Sequence, residues 1–432
     1  MSFAALGLAE PLLQTLAGLA YRTPTPVQQQ AIPAVLAGRD LLVAAQTGTG
    51  KTAAFALPLL QRLLGETTAV GAGMVRVLVL VPTRELAEQV CASFVRYGAG
   101  LPLSCYAAYG GAELGPQMKR LGSGVDVLVA TPGRLVDLFT KGAVRFRELR
   151  ALVLDEADRM LDLGFANDLD ILFQALPRQR QTLLFSATFA ANVGELAGRR
   201  LQKPLRIEAT PRNTAAKTVK QWVVPVDKKR KTELFLFMRR DRGWRQVLVF
   251  VKTKKGCDEL LARLQAKQIA ADTIHGDRPQ ASRQQALEAF RAGAVEVLVA
   301  TDVAARGIDI DGLPQVVNFD LPLQAEDYVH RIGRTGRAGQ AGEAISFVAA
   351  DEAPLLAAIE ALLRKPLSRD EEPGFEPCHH VPPTAPGSPA KARPVAARPG
   401  APARAPRSNW VDEFAGGRKA RSAPRKPGNR GR

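Results

Sequence analysis

Two doubly wound α/β domains followed by a disordered basic tail are the architecture this sequence predicts, on three observations. Short, β-rich apolar runs alternate with helix-length stretches in two successive series. A polar joint, Thr210-Pro211-Arg212-Asn213-Thr214, separates the series. Beyond about residue 380 the composition changes altogether. A length of 432 residues suits two or three domains. With 46% hydrophobic and 23% charged residues, most of the chain can bury ordinary cores.

The first series opens with Asp40-Leu41-Leu42-Val43-Ala44, which runs into a glycine loop. Val75–Val81, Val125–Ala130, Ala151–Leu154 and Thr182–Phe185 follow. Runs this short and this β-rich are the signature of parallel strands buried on both faces, with a crossover helix between each pair. The second series comprises Val247–Val251, Ala271–Ile274, Val295–Ala300, Val316–Phe319 and Ala344–Val348. No sequence repeat relates the two, so any duplication rests on architecture. The expected division is 1–30 as an entry segment, 31–210 as the first domain, 211–377 as the second and 378–432 as the tail.

Charge is uneven along the chain. The net charge is +17, of which residues 381–432 carry +10 together with 10 of the 30 prolines and two aromatics, Trp410 and Phe414. So little apolar area cannot offset the entropy of ordering a chain, and the tail is expected to tether phosphate backbones without sequence preference. A basic balance implies an anionic partner. The four cysteines, Cys91, Cys105, Cys257 and Cys378, show no C-x-x-C spacing. That argues against a disulfide framework or zinc ribbon and for a reducing compartment. No run approaches the ~18 apolar residues of a membrane span, and the N-terminus lacks a basic leader. A soluble cytoplasmic protein is expected, with no membrane partner.

Two stretches carry the chemistry. Ala45-Gln46-Thr47-Gly48-Thr49-Gly50-Lys51-Thr52 lies between the first strand and an apolar helix and has the phosphate-loop form, with Ala45 where the strict pattern has glycine. Glycines there let backbone N–H groups turn toward phosphates, Lys51 reaches the β/γ-phosphates, and the Thr52 hydroxyl suits Mg²⁺. In Leu152-Val153-Leu154-Asp155-Glu156-Ala157-Asp158, carboxylates follow a strand's C-terminal edge, where open α/β sheets bind ligands. Asp155 is suited to holding Mg²⁺, and Glu156 to orienting or deprotonating the water that attacks the γ-phosphate. An acidic cluster alone is a common solvated loop; the phosphate loop upstream selects the nucleotide reading.

The company these motifs keep resembles one family. Asp155-Glu156-Ala157-Asp158 spells the name of the DEAD-box ATP-dependent RNA helicases. Tyr21-Arg22-Thr23-Pro24-Thr25-Pro26-Val27-Gln28 is similar to the Q motif, with Phe3 upstream as its isolated aromatic. Pro82-Thr83-Arg84-Glu85-Leu86, Gly110-Gly111, Thr131-Pro132-Gly133-Arg134 and Ser186-Ala187-Thr188 follow in the family's order. In the second domain, Val249–Thr253 resembles motif IV, Gln280-Ala281-Ser282-Arg283 the QxxR element, Ala300–Asp309 motif V and His330–Arg337 motif VI. The resemblance covers about residues 1–377. Ala20 stands where the Q motif commonly has glycine, and Lys254 where arginine often follows motif IV. Met1-Ser2-Phe3 and Pro373–Pro377 look most like the bacterial RhlE-type subgroup.

The resemblance implies two RecA-like domains closing around ATP and one RNA strand. Gln28 would read adenine while Phe3 stacks on it. Arg334 and Arg337 would act as arginine fingers, and Asp309 would line the nucleotide site from the same side. Asp158, Ser186, Thr188 and His330 would couple the halves. RNA contacts, mainly to phosphate and sugar, would come from Thr83, Arg84, Gly110, Thr131, Arg134, Gln280, Arg283 and Thr301. Unwinding would be local and limited to short duplexes. Ribosome maturation, cold-shock remodelling and RNA decay all fit as settings. An ATP-gated RNA clamp is an alternative, which the intact Glu156, Arg334 and Arg337 disfavour; a DNA helicase is another, against which the Q motif and DEAD signature argue. Trp222 and Trp244 are expected to be packing residues, Lys228-Lys229-Arg230-Lys231 a solvated face, and Cys378-His379-His380 no metal site.

Overall fold

The computed structural model describes residues 2–45, 48–66, 68–187, 189–208, 219–305, 312–336, 342–379 and 381–382. The joint at 210–214 and nearly all of the expected tail lie outside these. Seven parallel strands form a first sheet: β1 (Leu41–Ala44), β2 (Val75–Leu80), β3 (Cys105–Ala108), β4 (Val125–Ala130), β5 (Ala151–Leu154), β6 (Gln181–Ser186) and β7 (Leu205–Glu208). Their order is β3-β4-β2-β5-β6-β1-β7. A second sheet comprises β8 (Val219–Pro225), β9 (Val247–Phe250), β10 (Ala271–Ile274), β11 (Val297–Ala300), β12 (Gln315–Asn318), β13 (Gly342–Val348) and β14 (Ser368–Arg369), in the order β10-β11-β9-β12-β13-β8-β14. Counted from its own first strand, the second sheet repeats the order of the first, so the architecture is duplicated although the sequence is not. Both are tandem RecA-like α/β folds.

A core on each face, met by alternate side chains, explains why the strands read as largely apolar runs. In β1, Leu41 and Val43 enter one core cluster and Leu42 the cluster on the opposite face. Val77 and Val79 of β2 divide from Leu78 and Leu80 in the same way. Every side chain of these two strands is buried, and each Val or Leu among them stabilises the fold by about 1.5–3 kcal/mol relative to exposure. Trp222 and Trp244 pack in the main cluster of the second lobe, as the sequence suggests.

The solvated-face reading of Lys228–Lys231 is corrected at its last residue. Lys231 is 1% exposed; its ammonium donates to the Phe319 carbonyl at 2.7 Å and pairs with Glu352 at 2.7 Å and Asp320 at 3.3 Å. A run of like charge gave no sign that one member turns inward, because the acidic partners lie far along the chain.

Ala20 closes the helix Glu10–Gly18. Its N–H donates to the Ala17 carbonyl at 3.0 Å, and the Tyr21 N–H to the Leu16 carbonyl at 2.9 Å. This is the Schellman pattern, whose penultimate donor sits in the left-handed region; Ala20 accordingly has φ of +59°. The departure from glycine noted in the sequence therefore falls on a residue that must bear positive φ.

Candidate functional site

The phosphate loop is held on both sides. The Ala45 N–H donates to the Ser186 carbonyl at 3.0 Å, joining the loop to the end of β6. On the other side, the Thr25 hydroxyl donates to the Thr49 carbonyl at 2.8 Å and the Gln28 amide to the Gly50 carbonyl at 3.2 Å. Gln28 Oε1 accepts from the Thr25 N–H at 2.9 Å, completing a capping box that starts the helix Pro26–Leu36. Gln28 is 2% exposed. Gly50 has φ of +85°, and a Cβ there would lie 2.3 Å from Gln28 Nε2, so both conformation and space require glycine. The helix Lys51–Leu64 then begins with no side-chain cap, leaving its first N–H groups directed at the loop.

Neighbouring strand ends bring the acidic motif to this loop, because β5, β6 and β1 are adjacent. Asp155 is 3% exposed and its carboxylate accepts from the Glu156 N–H at 3.1 Å. Burial pushes its pKa up to about 6; the Lys51 ammonium opposes this and Glu156 adds to it. Glu156 itself is held at φ of +55°, an unfavourable conformation for a residue with a Cβ. Asp158 accepts from the Ala187 N–H at 3.0 Å, tying the acidic motif to the segment that follows the buried Ser186.

The RNA candidates of the first lobe gather at the other end of the same edge. Thr83, Gly110 and Thr131 follow β2, β3 and β4, which are also adjacent. Thr83 caps the helix Arg84–Tyr97, accepting from the Leu86 N–H at 3.3 Å. The Arg84 guanidinium lies against Gly111, where a Cβ would come within 2.1 Å of it. Arg134 donates twice to the Ala112 carbonyl, each at 3.0 Å. Phe3 is packed in the first core cluster beside the start of the chain and is 5% exposed.

In the second lobe, Gln280 and Arg283 follow β10 and Thr301 follows β11, again adjacent strands. Arg283 pairs across the lobes with Glu85 at 2.7 Å, and Gln284 donates to Glu88 at 2.6 Å. Gln280 Nε2 is buried without a hydrogen-bond partner. His330 lies among Asp158, Arg334, Lys51 and Arg159; burial there lowers its pKa to about 4, with Asp158 opposing. The neighbouring Arg331 makes two bonds to Asp302, at 2.5 and 2.7 Å, and further bonds to Asn318 at 3.0 Å and the Asp320 carbonyl at 2.6 Å. Arg334 is buried, and its carbonyl accepts from the Leu313 N–H.

Lys51, Asp155, Asp158, His330 and Arg334 are thus brought together. Gln46, Thr47, Thr188, Asp309 and Arg337 lie outside the described residues. Sequence reasoning missed Glu85, Glu88, Gln284 and Arg159, which meet the opposite lobe, and Arg331, which organises its own. Glu85 and Arg331 lie within quoted motifs, and Asp302, the partner of Arg331, follows a strand end as Asp155 does, but none of these signals showed the pairing.

Two family models match the chain: DEAD/DEAH box helicase over residues 25–196 and Helicase conserved C-terminal domain over 229–339. The DEAD-box ATP-dependent RNA helicase CshA of Bacillus subtilis is 38% identical over 376 residues, which cover 87% of this chain and 75% of that protein. The ATP-dependent RNA helicase DeaD of Mycobacterium tuberculosis is 40% identical, covering 87% and 66%. Among solved structures, Saccharomyces cerevisiae Dbp5 bound to RNA and ADP BeF3 matches with a TM-score of 0.77 and 30% identity, covering 86% of this chain and 95% of that one.

Proposed function

The chain belongs to the DEAD-box family of ATP-dependent RNA helicases, and from that premise we propose that ATP and a single RNA strand draw its two lobes together over the paired sheet edges, hydrolysis then releasing them. The observation that carries this reading is the division of those edges. Nucleotide residues follow β5, β6 and β1, RNA residues follow β2, β3 and β4, and the bonds Glu85–Arg283 and Glu88–Gln284 join the lobes on the RNA side.

Within the nucleotide site, the loop from Ala45 through Thr52 cradles phosphates with the uncapped helix N-terminus, and Lys51 supplies positive charge. Asp155 and Thr52 offer the hard oxygen donors that Mg²⁺ prefers, and a buried carboxyl whose pKa is raised is relieved by a cation. When bound, Mg²⁺ would neutralise charge on the phosphate oxygens. Glu156 orients or deprotonates the attacking water. Arg334 and Arg337 stabilise charge on the transferring phosphoryl group from the opposite lobe, so that turnover depends on closure. Asp309 would line the nucleotide site from the same side, as the family resemblance implies. Gln28 has one amide hydrogen and one lone-pair direction beyond its bonds to Gly50 and Thr25, enough for the adenine edge, and Phe3 stacks on the base. Asp158, Ser186, Thr188 and His330 relay closure between the halves.

Thr83, Arg84, Gly110, Thr131, Arg134, Gln280, Arg283 and Thr301 grip phosphate and sugar. Gln280 Nε2, which has no hydrogen-bond partner among the described residues, is a donor available to RNA. Discrimination against DNA comes from contact with the 2′-hydroxyl. A grip of this kind separates short duplexes locally, which suits ribosome assembly, cold-shock remodelling and RNA decay in the cytoplasm. The opening Ser2-Phe3 and the stretch Pro373–Pro377 support an RhlE-type member. The domain division 31–210 and 211–377, with a tethering tail from 378, follows the two sheets and the change in composition. In the test, Glu156→Gln should retain ATP and RNA binding and lose about a hundredfold or more in turnover, with unwinding of short duplexes lost in parallel. Wild-type hydrolysis by this variant would remove Glu156 from its role.

A further inference from the structure

Glu88 stands one turn into the helix Arg84–Tyr97, four residues from Arg84 and three from Glu85, so the three share one face. Its carboxylate oxygens are divided between the lobes. Oε1 accepts from the Tyr109 hydroxyl of the first lobe, and Oε2 from Gln284 Nε2 of the second at 2.6 Å. Each partner adjoins a residue of the RNA face: Tyr109 precedes Gly110, and Gln284 follows Arg283. We infer that Glu88 is a positioning residue, a clasp through which the first lobe's hold on RNA and the docking of the second lobe strengthen each other. The inference rests on the RNA face proposed above and adds Tyr109, Glu88 and Gln284 behind it.

The chemistry of the three side chains suits that role. An ionised carboxylate can only accept, and both partners present donors to it. Burial first, and then the bond to Glu88 itself, keeps the Tyr109 hydroxyl protonated and therefore donating. Tyr109 is held at its other end as well, because Gln117 Nε2 donates to the Tyr109 carbonyl at 3.2 Å. With both ends fixed, Tyr109 takes up one oxygen of Glu88 and leaves the other turned to the second lobe. RNA seated on Gly110 thus steadies Tyr109, Tyr109 orients Glu88, and Glu88 receives Gln284.

All three side chains are half-buried. When the lobes part, Glu88 Oε2 and the Gln284 amide return to water; when they meet, a charge-assisted bond forms beside the Glu85–Arg283 pair. A net contribution of about tenfold to closure is what a hydrogen bond to a charged group supplies. An incidental polar contact would supply no link between Tyr109 and Gln284, which do not bond each other but share one carboxylate.

The experiment is a set of substitutions in the full chain, read as the concentration of a single-stranded RNA oligonucleotide that half-saturates ATP hydrolysis, alongside the maximal rate. Gln284→Glu sets carboxylate against carboxylate and should raise that concentration about tenfold with a much smaller change in maximal rate. Adding Glu88→Gln supplies an amide oxygen for Tyr109 and an amide N–H for the new carboxylate, and should restore the concentration to within about twofold of the unaltered chain. That rescue would also show that neither change misfolds the protein. Glu88→Gln alone should not tighten RNA binding, whereas a general charge effect would make it do so. Tyr109→Phe should weaken RNA binding about threefold, and should weaken it no further where Gln284→Ala has already removed the second-lobe partner. Additive effects of Gln284→Glu and Glu88→Gln would overturn the proposal. So would a loss from Tyr109→Phe that persists in full beside Gln284→Ala. If RNA fails to stimulate the unaltered chain, the RNA face falls with the clasp; stimulation combined with additive effects removes the clasp alone.

Discussion

Ala20 and Glu156 both hold positive φ, and the strain has a different use at each. Ala20 closes a helix at a position glycine fills without cost, and its side chain is given no task by the site. Ala20→Gly should therefore stabilise the protein by about 0.5–1 kcal/mol, the relief of left-handed strain less the extra entropy of an unfolded glycine. A rise in the thermal midpoint with unchanged ATP hydrolysis is the expected result; a fall would mean that the Ala20 methyl packs usefully. Glu156 is strained at the position where its proposed role puts a carboxylate, and the bond from its own N–H to the Asp155 carboxylate holds it there. The sequence flagged both residues, Ala20 as a departure from pattern and Glu156 as a motif member. Neither flag contained the backbone angle, which depends on where the preceding helix or strand ends.

Among elements, most strands inside a sheet were legible and most at its margins were not. β1, β2, β4, β5 and β6 appear in the sequence as largely apolar runs because helices cover both faces; Arg76 of β2 and Asp126 of β4 interrupt theirs and pair with each other at 3.1 Å. β3 and β7 lie at the margins of the sheet, half-covered, with Tyr106, Arg206 and Glu208 interrupting any run. β8 carries Lys220 and Gln221 and ends on Pro225, while β14 has only two residues. The helix Ala325–Ile332 shows the same limit at the level of the site. Its His330 was expected to couple the halves and Arg334 just beyond it to act on the nucleotide, while Arg331 between them turns inward, 2% exposed, to hold the start of the helix Asp302–Ala305. Arg331→Ala should destabilise the second lobe by about 3 kcal/mol, the cost of stranding a partner in a buried ion pair. Denaturant unfolding measures this directly, and Arg331→Lys should recover little of the loss, since an ammonium cannot make the two-pronged bond to Asp302. Unchanged stability in Arg331→Ala would show that Asp302 and Asn318 are satisfied without it.

For the whole molecule, the contact between lobes among the described residues is polar. Glu85 with Arg283, Glu88 with Gln284, and His330 among Asp158, Arg334, Lys51 and Arg159 contribute to it. Such pairs leave no trace in hydrophobic periodicity, and their partners are far apart in sequence. The motif residues were therefore legible, but their pairing across the lobes was not. Closure should depend on pH through His330. Its pKa in the closed state is lowered to about 4 from an ordinary value of 6.5, so closure is at full strength above 6.5 and weakens as pH falls toward 4. Between pH 7 and 5.5 the closed population should lose about tenfold in its equilibrium constant, read by fluorescence transfer between labels on the two lobes. His330→Gln should remove that component while leaving any due to Asp155.

Coupling of the nucleotide cleft to an RNA track is tested most directly by steady-state ATP hydrolysis. The full chain would be assayed with no nucleic acid, with single-stranded RNA and with DNA of the same sequence, Glu156→Gln serving as the blank. Strong stimulation by RNA, with little by DNA, is the result the geometry predicts. Equal stimulation by DNA, or binding of ATP and RNA without turnover, would contradict it.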